Sequence, residues 1–546
     1  MNKIIERPLI AALILLVLAG YLFFFRLGGL ALTDPDETFY AQTAKEMMNR
    51  REWLTPYLYD KPQFEKPILF YWLVEASFRL FGVNEFAARL PSALLGTLGL
   101  IAIYFLGAIL FNKRAGFFAA IILATNVEYI VLSRACVTDM ALATFMLFGA
   151  LFFFYGYLRE KGYFYLLSAA AFALATLTKG PVAIILPAAA IVISVLLTRD
   201  FKILKKIPFF QAAIVFLAVA APWFLLMYKF HGKAFQDAFF GFQNITRFLQ
   251  SEHKIGSQVY YNIPIILGGF FPWSAFLPYA FWRAFKKAHS ERKHLIFILS
   301  WFFVIFIFFS ASSTKLPTYI FPSFISLALI VAVIWDDFLK EDRALWKPMA
   351  ISHYLWIATA VIGAVGALIF IKFDYPEILT AASASAIFVI LGTVLSFIAF
   401  INKKFTAAFF FIAYSAAIFL YPLSELALPA VERFETSKEI AGKLASYMKP
   451  GERLGAESNY LAGLAFYTGK FPVNLDQHHI LCNFLGSSSR AWAVLKEKNH
   501  RELYELDSKP YYTKPSYMVY KVGKRAIITN LVPEDGKYII KRERKK

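Results

Sequence analysis

The sequence predicts an α-helical polytopic membrane protein of about thirteen transmembrane helices with a small C-terminal α/β domain outside the membrane. Three observations carry that expectation. Hydrophobic residues make up 59% of the 546 residues, with 59 phenylalanines and a mean hydropathy of +0.54, far from soluble composition. Apolar runs long enough to cross ~30 Å of hydrocarbon recur along residues 1–425. From about Leu426 to Lys546 the chain changes to mixed helical and strand-like segments of ordinary polarity.

In chain order, Lys3 and Arg7 precede a first run from Pro8 to Leu27. It is long for a signal peptide and lacks a convincing small-residue cleavage site, so it reads as an anchor with a cytoplasmic N-terminus. Further spans read near 87–111, 116–132, 140–158, 163–178, 182–198, 209–228, 258–282, 294–310, 318–335, 348–371, 379–401 and 407–423. Basic residues concentrate in alternate short loops, as at Lys113 and Arg114, Arg159 and Lys161, Lys205 and Lys206, Lys286 and Lys287, Lys340 and Lys347, and Lys403 and Lys404. The other short loops hold little beyond Arg134, Lys179, Lys315 and Lys372. By the positive-inside rule the first set is cytoplasmic, and an odd number of spans leaves the tail outside. The same placement accounts for the net charge of +20 without a nucleic-acid partner. Cys136 and Cys482 form neither a metal pair nor a disulfide framework.

Within the outer-face segment 28–86, the stretch from Thr33 to Trp72 interleaves acidic, basic and aromatic residues more densely than any other. Asp34 suits a helix N-cap, Pro35 the first helical position and Glu37 the third residue after the cap. A helix is expected from Pro35 to Arg50, its polar stripe of Gln42, Lys45, Glu46 and Asn49 suiting a membrane surface. Asp36 is the acid left without a capping duty. In the tail, a helix at Ser437 to Met448 and strands at 453–456, 517–522 and 526–531 suggest an extracytoplasmic domain packed over an active-site mouth.

Unusual charges gather on the outer, less basic face, as an interfacial active site requires. Glu65-Lys66 sets a carboxylate beside an ammonium between Pro62 and Pro67: a surface ion pair, or a metal ligand next to a phosphate binder. Asp139 stands at the mouth of the fourth span, where a helix cap competes with a chemical role. Lys179 precedes Gly180-Pro181, a helix end and restart at the membrane surface. Arg247 offers a phosphate contact and His253 a ligand for a divalent metal. Lys315 and Tyr319 mark another charged break between spans. There is no Walker loop, G-x-S-x-G elbow or H-E-x-x-H pair. Asp34-Pro35-Asp36 is formally D-x-D, but outside the membrane a sugar donor has to be carried by a lipid.

In order, D-E-x-x-Y at Asp36 to Tyr40, E-K-P at Glu65 to Pro67, Ala88-Arg89-Leu90-Pro91-Ser92, T-D-M-A-L, T-K-G-P and K-L-P-x-Y resemble the membrane glycosyltransferases of the C-type (GT-C) fold. The lipid A aminoarabinose transferases and, more distantly, the protein O-mannosyltransferases share this set, over residues 1 to about 425. The resemblance implies transfer of a sugar from a polyprenyl-phosphate donor at the outer face of the bacterial inner membrane to a lipid A, other glycan or protein acceptor. Matched by motif, Asp36 looks like the catalytic acidic residue, Glu65 a metal ligand for zinc, magnesium or manganese, and Lys66 a donor-phosphate contact. Asp139, Lys179 and Tyr40 match cavity-lining positions, with Asp139 expected in catalysis. Phe39, Gln63 and Ile68 depart from the aminoarabinose pattern of Arg, Tyr and Pro, which puts that sugar in doubt.

On physical grounds, a phosphate leaving group needs fixed positive charge, for which Lys66, Arg247 and Lys179 are available. A hydroxyl acceptor needs a base, for which Asp36 is best placed, whereas a phosphate acceptor needs only positioning. A monomer is expected. The rival reading is a transporter or flippase of lipid-linked glycans, against which the chain shows no inverted repeat of broken helices.

Overall fold

In hydrocarbon, backbone N–H and C=O groups have no water to bond, so long apolar runs close their hydrogen bonds internally as helices. The computed structural model describes residues 7–250, 258–290, 293–341, 345–374, 376–422, 424–425, 429, 432, 436–500 and 516–532. Among these, eight helices are long and apolar enough to cross a membrane, or up to ten if each of two bent pairs counts as one span. The expected number of thirteen counts in addition the helices Pro8–Phe24, Gly162–Lys179 and Val182–Thr198. The protein is a polytopic helical membrane protein with a small C-terminal α/β domain.

The chain divides into two compact units. The first comprises Met1–Leu27, Phe64–Leu73 and Arg89–Leu426; the second comprises Gly28–Gln63, Val74–Ala88 and Ala427–Lys546. The segment 28–86, grouped by sequence with the membrane part, is thus shared between the two.

In the first unit, Thr138–Arg159 and Gly162–Lys179 are consecutive helices joined by a two-residue turn and therefore antiparallel. They approach closely at Gly149, whose carbonyl accepts from Ser168 Oγ (2.7 Å) and where a Cβ would lie 2.5 Å from the Phe172 ring. The ends of this unit differ in chemistry. At one end, Asp336 and Asp337, both buried, close the helix Phe324–Glu341. Asp336 accepts from Arg114 (2.6 Å), Asn112 (2.8 Å) and Lys340 (2.6 Å), while Arg283 and Lys287 lie 3.5 and 3.1 Å from Asp337. At the same end Tyr157 donates to Asp200 (2.6 Å) and Lys206 pairs with Glu160. Loops that the charge pattern assigned to one face are gathered together.

The second unit holds a five-stranded mixed sheet of β3 (Arg453–Ala456), β4 (Val473–Asn474), β5 (Ala491–Lys496), β6 (Tyr517–Val522) and β7 (Arg525–Thr529), after a short hairpin of β1 (Tyr57–Leu58) and β2 (Lys61–Pro62). The order is β4-β3-β5-β7-β6, with β3 parallel to both neighbours and β7 antiparallel to both of its own. Alternation along β5 sends Trp492 and Val494 to one face, against Ile440, Leu444 and Leu461, and Ala493 and Leu495 to the other, against Leu481 and Leu485. The helix and the three strands expected in the tail are present; β4, β5 and the helices Ser458–Thr468 and His478–Leu485 are additional.

The helix expected over Pro35–Arg50 runs Asp36–Arg50, but its polar stripe does not lie on a membrane surface. Gln42 and Glu46 are buried in protein. Gln42 donates to Glu46 Oε1 (2.8 Å), and the two Glu46 oxygens accept the N–H groups of Tyr59 and Asp60 (both 3.0 Å). Those two residues form the turn of the β1–β2 hairpin with φ of 53° and 66°, a conformation normally left to Gly or Asn. A bidentate carboxylate holds the turn where side-chain preference would not. Lys45 Nζ donates to the Phe466 carbonyl (2.7 Å), and Asn49, the fourth of the stripe, is exposed.

Asp34 is likewise not the N-cap: the helix begins at Asp36 after Pro35, and the Thr33 N–H is taken up by Glu37 Oε2 (2.9 Å). The Asp34 carboxylate is instead buried, accepting from Thr38 Oγ1 (3.0 Å) and Ser437 Oγ (2.5 Å), with Arg525 Nη1 at 3.9 Å. Burial pushes its carboxyl up to about 7, against the lowering effect of the Ser437 and Thr38 hydrogen bonds and of Arg525. Between the unfolded value near 4 and about 7 the folded chain binds the extra proton, so this group's contribution to stability falls as pH rises through that window. Thermal unfolding of the whole protein, compared at pH 5 and pH 8, is expected to show a smaller pH-dependent loss in Asp34→Asn than in wild type. An equal loss in both would remove Asp34 as the source.

Candidate active site

A second set of charged side chains in the first unit converges at the end of the bundle away from Asp336. Asp139 is second in the helix Thr138–Arg159 and Lys179 last in Gly162–Lys179, so the antiparallel hairpin brings them to the same level. Lys179 Nζ donates to Asp139 Oδ1 at 2.5 Å, and Asp139 is buried. The capping role open to Asp139 from sequence is not taken, since Val137 holds the cap position. Gly180 ends the second helix at φ +91°, with the Phe239 ring 3.0 Å from where a Cβ would stand, so only glycine turns the chain there without strain. The same ammonium lies 4.8 Å from the centroid of the Tyr319 ring.

Lys66, Lys179, Gln243, Asn244, Arg247, Tyr319 and neighbouring apolar groups line a cavity of about 110 Å³. Gln243, Asn244 and Arg247 are carried by a π-wound stretch, Gln236–Thr246, and the turn after it, a geometry that recurs at functional sites. Arg247 Nη1 donates to Gln243 Oε1 (2.7 Å), and Asn244 Nδ2 to the Phe239 carbonyl (2.6 Å). The Lys66 ammonium is lowered to about 8, first by burial and then by the Lys179 and Arg247 charges, which Glu65 and Asp139 oppose. Three cations thus share one small space, and the buried carboxylate among them is already engaged. Such a site has a standing affinity for an anion with several oxygens, and a phosphate monoester fits that description.

A cavity of about 610 Å³ lies at the other end of the same helices, lined by Phe154, Tyr157, Ser194 and Thr198 where the smaller one touches Leu142, Met146, Val182 and Leu186. Leu142 and Tyr157 are separated by roughly 20 Å along one helix. Size favours the larger cavity as a reaction site, but convergent charge, burial and a shifted ammonium favour the smaller.

Of the residues singled out by sequence, Lys66, Asp139, Lys179, Arg247 and Tyr319 are brought together, with Glu65 exposed beside Lys66. Lys315 is buried in the adjoining turn, its Nζ donating to the Ser312 carbonyl (2.6 Å), while Ser312 and Thr314 face the cavity. Asp36 and Tyr40 belong to the second unit, Asp36 exposed in the first turn of its helix and Tyr40 buried against Phe39. His253 lies outside the described residues. No three His, Cys, Asp or Glu side chains among the described residues group to hold a metal ion, so Glu65 belongs to no such group. Gln243 and Asn244 were not singled out, although their position just before Arg247 was the available signal.

Comparison with known proteins bears on this arrangement. Residues 65–226, which carry Glu65, Lys66, Asp139 and Lys179, match the family model described as dolichyl-phosphate-mannose-protein mannosyltransferase. A protein of Aquifex aeolicus with no assigned function is 31% identical over 445 residues, 81% of this chain and 83% of its own length. The chain belongs to the membrane glycosyltransferases of the C-type fold. Within that family, the undecaprenyl phosphate-alpha-4-amino-4-deoxy-L-arabinose arabinosyl transferase of Pectobacterium carotovorum is 32% identical over 365 residues. That match spans 64% of this chain and 64% of the relative's own length. The crystal structure of ArnT from Cupriavidus metallidurans bound to undecaprenyl phosphate superposes with a TM-score of 0.80 at 22% identity, covering 95% of this chain and 98% of that one. At that identity the likeness establishes the fold.

The Asp139–Lys179 pair makes a testable demand. Removing Lys179 takes the hydrogen-bonded cation from a buried carboxylate, at a cost of up to about 3–5 kcal/mol, whereas removing both charges leaves no buried carboxylate to compensate. Lys179→Met is expected to lower the thermal unfolding midpoint in detergent clearly more than Asp139→Asn/Lys179→Met does. A double variant at least as unstable as the single one would show that the pair is not coupled.

Proposed function

We propose that the protein transfers a sugar from a polyprenyl-phosphate carrier to a lipid A-type acceptor at the extracytoplasmic face of the bacterial inner membrane. The observation that carries the proposal is the convergence of Lys66, Lys179 and Arg247 on one cavity, with Asp139 held by Lys179. Membership of the glycosyltransferase family and the names of its relatives support the sugar and the lipid carrier. The basic loops at the opposite end of the bundle support an outward-facing site, with the N-terminus in the cytoplasm.

In this reading an acceptor oxygen attacks the anomeric carbon as its bond to the phosphate oxygen breaks, and the bonding pair leaves with the polyprenyl phosphate. Lys66 and Arg247 bind the growing phosphate charge, and Lys179, oriented by Asp139, adds a third cation. Asp36 takes the proton of a hydroxyl acceptor; with a phosphate acceptor it positions the nucleophile instead. The apolar cavity wall of Leu142, Met146 and Phe308 suits the first prenyl units. The sugar is a pentose on the likeness to the arabinosyl transferases and a hexose on the family-model match, and the departures at Phe39, Gln63 and Ile68 leave both for the assay.

The assay is direct. Purified protein in detergent, given lipid A and either undecaprenyl-phosphate aminoarabinose or a polyprenyl-phosphate hexose, is expected to yield lipid A heavier by one sugar in mass spectra. A covalent product in detergent also separates this reading from a flippase, which needs a sealed bilayer; no product with any donor would reject the proposal. In the same assay Asp36→Asn is expected to lose roughly a hundredfold or more in turnover, and near-normal turnover would remove Asp36 from catalysis.

The shifted Lys66 ammonium adds a pH signature. Lys66 binds phosphate as the cation, so affinity for polyprenyl phosphate is expected to fall as pH rises through about 8, and the fall to flatten in Lys66→Arg, whose guanidinium stays charged. The same slope in both proteins would place the titration elsewhere.

A further inference from the structure

A cavity of about 610 Å³ lies at the basic end of the first unit, apart from the charged cavity of the proposed transfer. Its lining is of two kinds. Lys293, His294, Lys340 and Asn112 supply donors, whereas Phe154, Phe297, Leu110 and Val195 form an apolar wall within the helices. Among the described residues, two carboxylates stand here: Asp200, which also lines the cavity, and Asp336. Asp200 is bonded by Tyr157 (2.6 Å), and Asp336 is shared among Arg114, Asn112 and Lys340. Lys293, on the helix Lys293–Ala311, is exposed and makes no ion pair among the described residues.

We propose that this cavity binds one anionic phospholipid of the cytoplasmic leaflet, its phosphodiester between Lys293 and Lys340 and the upper part of an acyl chain against Phe154 and Phe297. Three features select that occupant. Charge complementarity calls for an anion, and basic pockets between spans on the cytoplasmic side are suited to anionic headgroups. The apolar wall rewards a ligand that carries hydrocarbon, which a soluble phosphate does not. The volume is that of a site enclosing a headgroup and part of a chain, and it lies where the positive-inside rule places the inner leaflet. The inference stands apart from the transfer reaction, since its residues lie at the far end of the shared helices.

The test uses the full-length protein, delipidated in detergent and titrated with phosphatidylglycerol, phosphatidylcholine or glycerol 3-phosphate, with bound lipid counted by native mass spectrometry. One phosphatidylglycerol is expected to bind at least tenfold more tightly than phosphatidylcholine, and glycerol 3-phosphate not to compete. Lys293→Glu removes the headgroup contact, and Ser194→Trp fills the cavity from its apolar side. Each is expected to weaken phosphatidylglycerol binding roughly tenfold or more while elution volume and helical circular dichroism stay as in wild type. Equal binding of the two lipids, competition by glycerol 3-phosphate, or unchanged binding in the two folded variants would each overturn the proposal. If one variant misfolds, the other decides the outcome.

Discussion

The ion pair between Asp139 and Lys179 is the constraint on which the charged cavity depends. Two antiparallel helices joined by a tight turn present an N-terminus and a C-terminus at the same level of the membrane. An acid in the first turn of one and a lysine in the last turn of the other each suit their own helix dipole, and at 2.5 Å they also suit each other. Charge that would be costly at the edge of hydrocarbon becomes tolerable there. With Lys179 fixed, Tyr319 has a cation to stack on, and Lys66 and Arg247 are held in a space that repels them until an anion enters.

The first unit has opposite chemistry at its two ends for one physical reason. At the basic end, Asp336 and Asp337 are each met by more than one cation, so the loops are tied down and their positive excess faces outward. At the other end the cations point into a cavity and outnumber the buried acid. The first arrangement serves folding and topology; the second gathers an excess of positive charge around a cavity, which is what a site for a phosphate leaving group requires.

The second unit shows polar residues used for architecture. Glu46 satisfies a hairpin turn whose two residues adopt a left-handed backbone, and Asp34 gives both oxygens to hydroxyls from opposite ends of the sequence. Both lie among the acidic residues that made segment 28–86 look chemical. Burial with satisfied hydrogen bonds marks them as structural, whereas Asp36 between them stays exposed.

The sequence by itself determined the membrane class, the positions of the apolar helices, the α/β character of the tail and the family, because hydrocarbon length, period-two alternation and ordered short motifs are local properties of the chain. It also picked out Lys66, Asp139, Lys179, Arg247 and Tyr319, since a charge beside an apolar run is conspicuous without a structure. Only the tertiary structure decided which charges meet. Pairing Asp139 with Lys179 required the hairpin, 40 residues apart; turning Asp34 from a helix cap into a buried tie required Ser437, 403 residues away. Burying Glu46 required a hairpin turn whose residues carry no glycine signal. The division of segment 28–86 between two units, and the role of Asp336 and Asp337 in gathering the basic loops, were hidden for the same reason. Side-chain partnership depends on distances through space, and neither periodicity nor spacing along the chain encodes them.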